Sequence, residues 1–220
     1  MSWLFATIYD PFMRGAEKAC LAQWRADLLV HAEGDVLEIG AGTGANLPLY
    51  PRGVRSLQLT EPDADMLARL RRRMSVAPMR QVQAREAAVD ALPFDDAAFD
   101  TVVSTLVLCS VPDVSLALAE VRRVLRPGGR LLFLEHVAAE DRPARLAWQR
   151  RLEPIWTRIS GNCHLTRRTG ELIRQAGFVV EQETRESVRK ALPIVRPSIR
   201  GVARREASRT RRLTASTRAT

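Results

Sequence analysis

Short apolar runs and longer amphipathic stretches alternate along most of the chain. Residues 35–40 read as a first buried strand, and residues 44–50 as the helix that follows it. A second strand is predicted at 54–61, an arginine-rich helix at 63–74, a third strand at 80–85 and a fourth at 99–105. The periodicity predicts a helix over 114–125 that Pro127-Gly128-Gly129 ends. Residues 130–137 form a fifth strand so uniformly apolar that it reads as central and parallel, covered on both faces. Beyond it lie an amphipathic segment at 143–159, a helix at 166–176 closed by Gly177, a strand at 178–184 and a last strand within 192–202. Ahead of the first strand, Asp10-Pro11 has the form of a helix cap with proline at the first helical position, opening a helix through about His31. Strand and helix in such alternation mean a doubly wound α/β sheet with helices on both faces, binding ligands at the strands' carboxyl ends.

Composition narrows the class. The chain has 220 residues, enough for one hydrophobic core without a disulfide or metal staple. Its longest uncharged apolar stretch, 101–112, falls short of the ~18 residues of a membrane span, and the N-terminus lacks a signal-peptide pattern, so a cytoplasmic protein is expected. Cys20, Cys109 and Cys163 are odd in number and form no CxxC pair, which points to reduced thiols and no bound metal. The net charge of +9 is uneven: residues 204–220 hold six arginines and one glutamate. The expected organisation is therefore an N-terminal helical segment over 1–33, a catalytic domain over 34–203, and a basic, disordered tail over 204–220.

The sharpest local signal is Val36-Leu37-Glu38-Ile39-Gly40-Ala41-Gly42-Thr43-Gly44-Ala45-Asn46, a strand entering a turn with glycines at alternate positions. Such a loop lets the backbone turn sharply and approach a ligand without a Cβ in the way. Ala45 also satisfies the dinucleotide fingerprint, so NAD is an alternative occupant. Two features favour another ligand: the tight GxGxG spacing suits one without a pyrophosphate, and Glu38 repels a diphosphate while suiting a cationic amine. Glu61, about twenty residues on, stands where an acid takes ribose hydroxyls in either case.

Downstream, Asp90-Ala91-Leu92-Pro93-Phe94, Phe99-Asp100-Thr101-Val102-Val103 and Leu125-Arg126-Pro127-Gly128-Gly129 follow in order. With the glycine loop, this succession resembles the class I S-adenosylmethionine-dependent methyltransferases over residues 9–203. The resemblance implies a Rossmann-like, mostly parallel seven-stranded sheet and S-adenosyl-L-methionine as cofactor. It assigns Glu38 and Gly40, Ala41, Gly42, Thr43 and Gly44, with Asn46, to the methionine moiety, and Glu61 to the ribose. Pro62 and Met66 would lie near the adenine, Val89 and Asp90 would read its edge, and Thr105 and Leu106 would flank the sulfonium. Tyr9 would touch the cofactor from an N-terminal lid. Ala87-Ala88-Val89 stands where many relatives have Gly-Asp-Ala, leaving the adenine to Asp90 or the backbone.

A closer resemblance, through Thr105-Leu106-Val107-Leu108-Cys109-Ser110-Val111, Glu135-His136-Val137, Trp148-Gln149 and Cys163-His164-Leu165-Thr166-Arg167, is to the alkyl-thiol methyltransferases. The phospholipid and quinone methyltransferases are similar too. A small-molecule or lipid-like acceptor, with at most peripheral membrane contact, is therefore expected in place of nucleic acid. His136, at the end of the fifth strand, is the general-base candidate. Cys109, Trp148, Trp156 and His164 are candidates for the acceptor pocket, with an acceptor lid at about 138–165. Each has a bland alternative: loop fixation for the histidines and core packing for the cysteine and tryptophans. RNA is disfavoured because the fourth strand ends in Ser104-Thr105-Leu106-Val107, without the Asn/Asp-Pro-Pro-aromatic turn that positions a base amine.

Overall fold

The computed structural model describes residues 3–75 and 81–206. Its seven strands are β1 (Gly34–Ile39), β2 (Val54–Thr60), β3 (Val82–Arg85), β4 (Phe99–Thr105), β5 (Leu125–His136), β6 (Phe178–Ser187) and β7 (Pro197–Arg205). They form one sheet in the order β3-β2-β1-β4-β5-β7-β6. Pairing from β3 to β5 is parallel, and β7 runs antiparallel to both β5 and β6. The sheet is thus the Rossmann-like, mostly parallel arrangement expected, with its chain reversal between β1 and β4.

Alternate side chains of the central strands feed two cores. Leu37, Val102, Leu131 and Phe133 pack on one face with α4 (Val114–Val124) and α6 (Thr169–Gln175). Val36, Val103, Leu132 and Leu134 pack on the other with α2 (Ala22–Leu29) and α3 (Ala64–Met74). Because both faces are covered, Leu131 to Leu134 are all fully buried, which explains the unbroken apolar run of β5. Asp63 and Asp113 cap α3 and α4, each accepting backbone N–H bonds from the first helical turn.

Three expectations need correction. The first helix does not open at Asp10: α1 (Trp3–Ala16) begins earlier and carries Pro11 inside it. The chain stays helical through a π turn, Glu17–Leu21, into α2. Proline's fixed φ fits a helix, so a helix that tertiary contacts hold can accept the missing N–H. Residues 44–50 form no α-helix, only turns and a 3-10 turn at Leu47–Leu49, because Pro48 lacks a donor and Asn46 is committed to side chains across the sheet. The Pro127-Gly128-Gly129 segment lies within β5, since α4 passes directly into the strand at Leu125.

The last strand extends to Arg205, so the first residues of the expected tail belong to the sheet. Arg204 pairs with Arg130 and Val179, and Arg205 Nη1 donates to the carbonyls of Arg122 and Arg123. The remainder of the tail, 207–220, lies outside the described residues. Among the described residues no helix is long and apolar enough to cross a membrane. Helix α5 (Pro143–Ile159) coincides with the amphipathic segment that the sequence predicts.

Candidate active site

The glycine loop leaves β1 at the carboxyl edge of the sheet and borders a cavity of about 390 Å³. Gly40 and Gly42 both have φ of +56°, a left-handed conformation that glycine adopts without steric cost. A Cβ on Gly40 would lie 2.6 Å from Val107 Cγ2, so this glycine permits close packing between the loops after β1 and β4. Gly42 is different: a Cβ there would meet nothing within 4 Å. Its bare backbone faces the cavity, as expected of a ligand cradle.

Tyr9, Glu38, Gly40, Ala41, Gly42, Thr43 and Thr105 all line this cavity, together with Arg14, Arg25 and Arg73. The two halves of the wall are joined by a buried network. Glu38 accepts from Asn46 Nδ2 at 2.9 Å and from the Tyr50 hydroxyl at 2.7 Å. Asn46 Nδ2 also donates to Thr105 Oγ1 at 3.1 Å, and Arg25 Nη1 donates to Asn46 Oδ1 and Thr105 Oγ1. Burial pushes the Glu38 carboxyl up to about 7, against the opposing pull of Tyr50 and Arg25.

Arg25 is the residue that sequence reasoning missed. It is 5% exposed and held by Glu17, with Nε 3.2 Å from Oε1. The π turn makes that contact possible. Eight residues along a regular α-helix leave two side chains about 80° apart, and one extra residue in a wider turn returns them to nearly the same face. A signal was present: Arg25 interrupts the apolar stripe of Leu21, Leu28 and Leu29, where an unpaired charge would be costly.

The other expected cofactor residues are not among those that line this cavity. Gly44 packs inward, where a Cβ would come within 2.8 Å of Leu47 and Leu70. Glu61 accepts from Gly42 N–H at 2.8 Å and from Asp63 N–H at 3.0 Å, bracing the loop from β2. Burial raises its pKa, opposed by those two donors. Met66 and Val89 are buried, whereas Pro62 and Asp90 are exposed. Leu106 turns the chain out of β4 with φ of +61°, its N–H bonded to Leu134 O at 2.7 Å. Above the loop, Thr43 Oγ1 donates to Asp10 at 2.7 Å and Arg73 pairs with the same carboxylate, tying α1 to the cavity rim.

A second group gathers beside the first. Glu135, fully buried, accepts from Ser104 Oγ at 2.7 Å and from the backbone N–H groups of Val107 and Cys109 at 3.2 Å, fixing the turn after β4. That turn receives the segment after α5: His164 N–H donates to Cys109 O at 2.8 Å, and Asn162 Nδ2 to Ser110 O at 2.9 Å. Cys163 is thereby brought to His136, with Sγ 3.5 Å from Nδ1. The neighbouring Cys109 and His136 hold the Cys163 thiol down at about 4, while Cys109 is raised by Cys163 and by burial. His136 is raised despite its burial, chiefly by Cys163.

The remaining acceptor candidates separate. His164 turns to Glu153, with Nδ1 3.1 Å from Oε1. Trp156 borders Cys163 and helps hold its thiol down. Trp148 stands on the outer side of α5, 56% exposed and stacked under Arg151. Gln149 points inward instead, bonding Ala139 N–H at 2.7 Å and Ile194 O at 2.8 Å to anchor α5.

The lining suits the zwitterionic amino-acid end of S-adenosylmethionine: Glu38 for the cationic groups, Arg14, Arg25 and Arg73 for a carboxylate, and open space beside Gly42 that no side chain fills. Comparison agrees. Residues 37–133 match the methyltransferase domain family. Thiol S-methyltransferase TMT1B of Rattus norvegicus is 41% identical over 173 residues, covering 76% of this chain and 69% of that protein. Phosphatidylethanolamine N-methyltransferase of Cereibacter sphaeroides is 37% identical over 116 residues, 50% of this chain and 54% of that one. The crystal structure of an S-adenosylmethionine-dependent methyltransferase from Mesorhizobium loti superposes with a TM-score of 0.62 at 22% identity, covering 86% and 98% of the two chains. Cavity, sheet order and kinship converge, and the chain belongs to the class I S-adenosylmethionine-dependent methyltransferases, enzymes that take S-adenosyl-L-methionine as their cofactor.

Proposed function

We propose that this enzyme methylates the sulfur of a small, largely apolar thiol. The observation that carries the reading is the turn Leu106-Val107-Leu108-Cys109. It leaves β4 directly from Thr105 on the cavity wall and ends against His136 and Cys163. The carboxylate in that corner, Glu135, is consumed by Ser104 and two backbone N–H groups, leaving sulfur and imidazole as the groups that could receive an acceptor's proton. A thiol asks less of a base than an alcohol does, because sulfur ionises far more readily than oxygen, the cysteine thiol at ~8.5. The likeness to a thiol S-methyltransferase supports the same choice.

S-adenosylmethionine supplies an electrophilic methyl group on a sulfonium. This chain's residues hold it, exclude water and orient the acceptor for in-line displacement. Thr105 Oγ1 accepts from both Arg25 and Asn46, so its own proton remains to be donated toward a ligand in the cavity. Lid and pocket roles for α1 and for the segment from 138 to 165 belong to this proposal, with Trp156 and Cys109 lining the acceptor corner. His136 is the side chain through which the acceptor's proton is handled.

A lipid amine is the second reading, favoured by Trp148, Ile155 and Ile159, exposed along α5 between arginines. Transfer of radiolabelled methyl to a panel of alkyl thiols, phosphatidylethanolamine vesicles, demethylquinones and RNA tests both. Label on alkyl thiols is expected. Label confined to phosphatidylethanolamine moves the assignment to the second reading, and label confined to RNA overturns both.

A further inference from the structure

Cys109 Sγ, a ring nitrogen of His136 and Cys163 Sγ all lie within 4.8 Å of one another. These residues come from the turn after β4, the end of β5 and the segment after α5, so no local spacing announces them. We propose that Cys109, His136 and Cys163 form a binding site for a soft divalent cation, zinc by the chemistry of the ligands, with three protein ligands and a fourth position open.

Geometry is the first support. With Zn–S near ~2.3 Å and Zn–N near ~2.05 Å, adjacent sulfur and nitrogen ligands of a tetrahedral ion stand about 3.6 Å apart. Cys163 Sγ lies 3.5 Å from His136 Nδ1 and 3.8 Å from Nε2. One edge of the coordination polyhedron is therefore already set.

The supporting shell is the second. Glu135 clamps the backbone of Cys109, and His164 N–H bonds the Cys109 carbonyl. Outer contacts of this kind orient the groups that ligate a metal. Arg167 Nη1 donates to the carbonyls of Leu108 and Val111 and locks the same turn from beneath.

Charge is the third. Cys109 and His136 are 2% and 4% exposed, and Cys163 is half-buried. Two thiolates in so dry a place repel each other unless a cation lies between them. A dication neutralises both, and any proton that either thiol carried leaves to solvent.

Three protein ligands leave one position for water or for the sulfur of an acceptor. Occupation by acceptor sulfur rests on the thiol reading above; the metal site does not, because its test contains no acceptor. A bound cation would take the imidazole as a ligand in place of its role as base, and an acceptor thiol that coordinated would release its proton to solvent.

The test uses the full chain, reduced and freed of metal with a chelator, then titrated with Co²⁺ under anaerobic conditions. One equivalent is expected to bind with thiolate-to-metal charge-transfer absorption and the visible bands of a tetrahedral site, and Zn²⁺ should bleach both. Cys20→Ser, remote from the cluster, should leave the spectrum unchanged. Cys163→Ser should remove much of the charge-transfer band, and His136→Ala should weaken Co²⁺ binding by more than about tenfold. Absence of thiolate-to-cobalt absorption in natively folded wild-type protein overturns the site. So does an undiminished band in a Cys109→Ser/Cys163→Ser double variant.

Discussion

Arg25 Nη1 donates to Thr105 Oγ1 across 2.8 Å, joining two residues eighty positions apart. The bond links α2 to the end of β4 through the floor of the cofactor cavity. It also leaves Thr105 as a donor on the cavity side, so one arginine of the wall helps determine how its neighbour meets a ligand.

Replacing Arg25 with alanine would strand Asn46 Oδ1 and the Glu17 carboxylate and leave Thr105 Oγ1 with Asn46 as its donor. Loss of a buried, charged hydrogen-bond donor with three partners should cost about 2–4 kcal/mol of stability. Denaturant unfolding measures it, and calorimetry should show weaker S-adenosylhomocysteine binding under conditions where the variant is still folded. Unchanged values for both would mean that the network is idle.

Glu38 provides a pH signature. Its ordinary carboxyl pKa is raised to about 7 by burial. In the empty enzyme, the unfolded chain releases this proton at lower pH than the native one, so the group's contribution to stability falls as pH rises from about 4.5 to about 7. A cationic ligand reverses the preference, favouring the carboxylate. S-adenosylhomocysteine affinity should therefore climb as pH passes through about 7, and Glu38→Gln should flatten that rise. A slope that survives in the glutamine variant would point to another group.

Glu61 and Gly42 act together through the 2.8 Å bond between them. Glu61→Ala should weaken S-adenosylhomocysteine binding by about 1.5–3 kcal/mol, the scale of a hydrogen bond to a charged group. Gly42→Val should block binding outright, since its side chain would project into open cavity from a strained φ. Wild-type affinity in the valine variant would remove the loop from the binding site.

The motifs that marked the family most clearly serve a different end of the molecule. Asp100 accepts from Asp35 N–H at 2.8 Å and pairs with Arg126 at 2.6 Å, while Arg55 bridges Asp35 and Asp100. The Arg55 guanidinium holds the Asp35 carboxyl well below the usual carboxylate range. This stabilising contribution is present above pH ~4 and disappears as acidity carries the native group through its lowered pKa. Arg126→Ala should cost about 0.5–1.5 kcal/mol of stability, discounted for its exposure, and leave cofactor affinity unchanged. A large loss of affinity would show that the sheet's amino-terminal edge is coupled to the site.

The alternation of strands and helices, the place of the glycine turn and the apolar depth of β5 were legible in the sequence, because each depends on residues within a few positions of one another. Gly40, Gly42 and Glu38 share one strand-turn unit, and Asp63 and Asp113 announce their helices locally. Tertiary structure alone decided the rest. Pro11 was admitted into a helix because α1 is held through Asp10 by Thr43 and Arg73. Gln149 and Trp148 occupy adjacent positions on α5, yet one anchors the helix and the other faces solvent. Cys109, His136 and Cys163 carry no mutual spacing signal. They meet because β4 lies beside β5 in the sheet, and because backbone bonds dock the segment after α5 onto the turn after β4. Local patterning sets which elements form; the pairing of elements distant in sequence sets which side chains share a site.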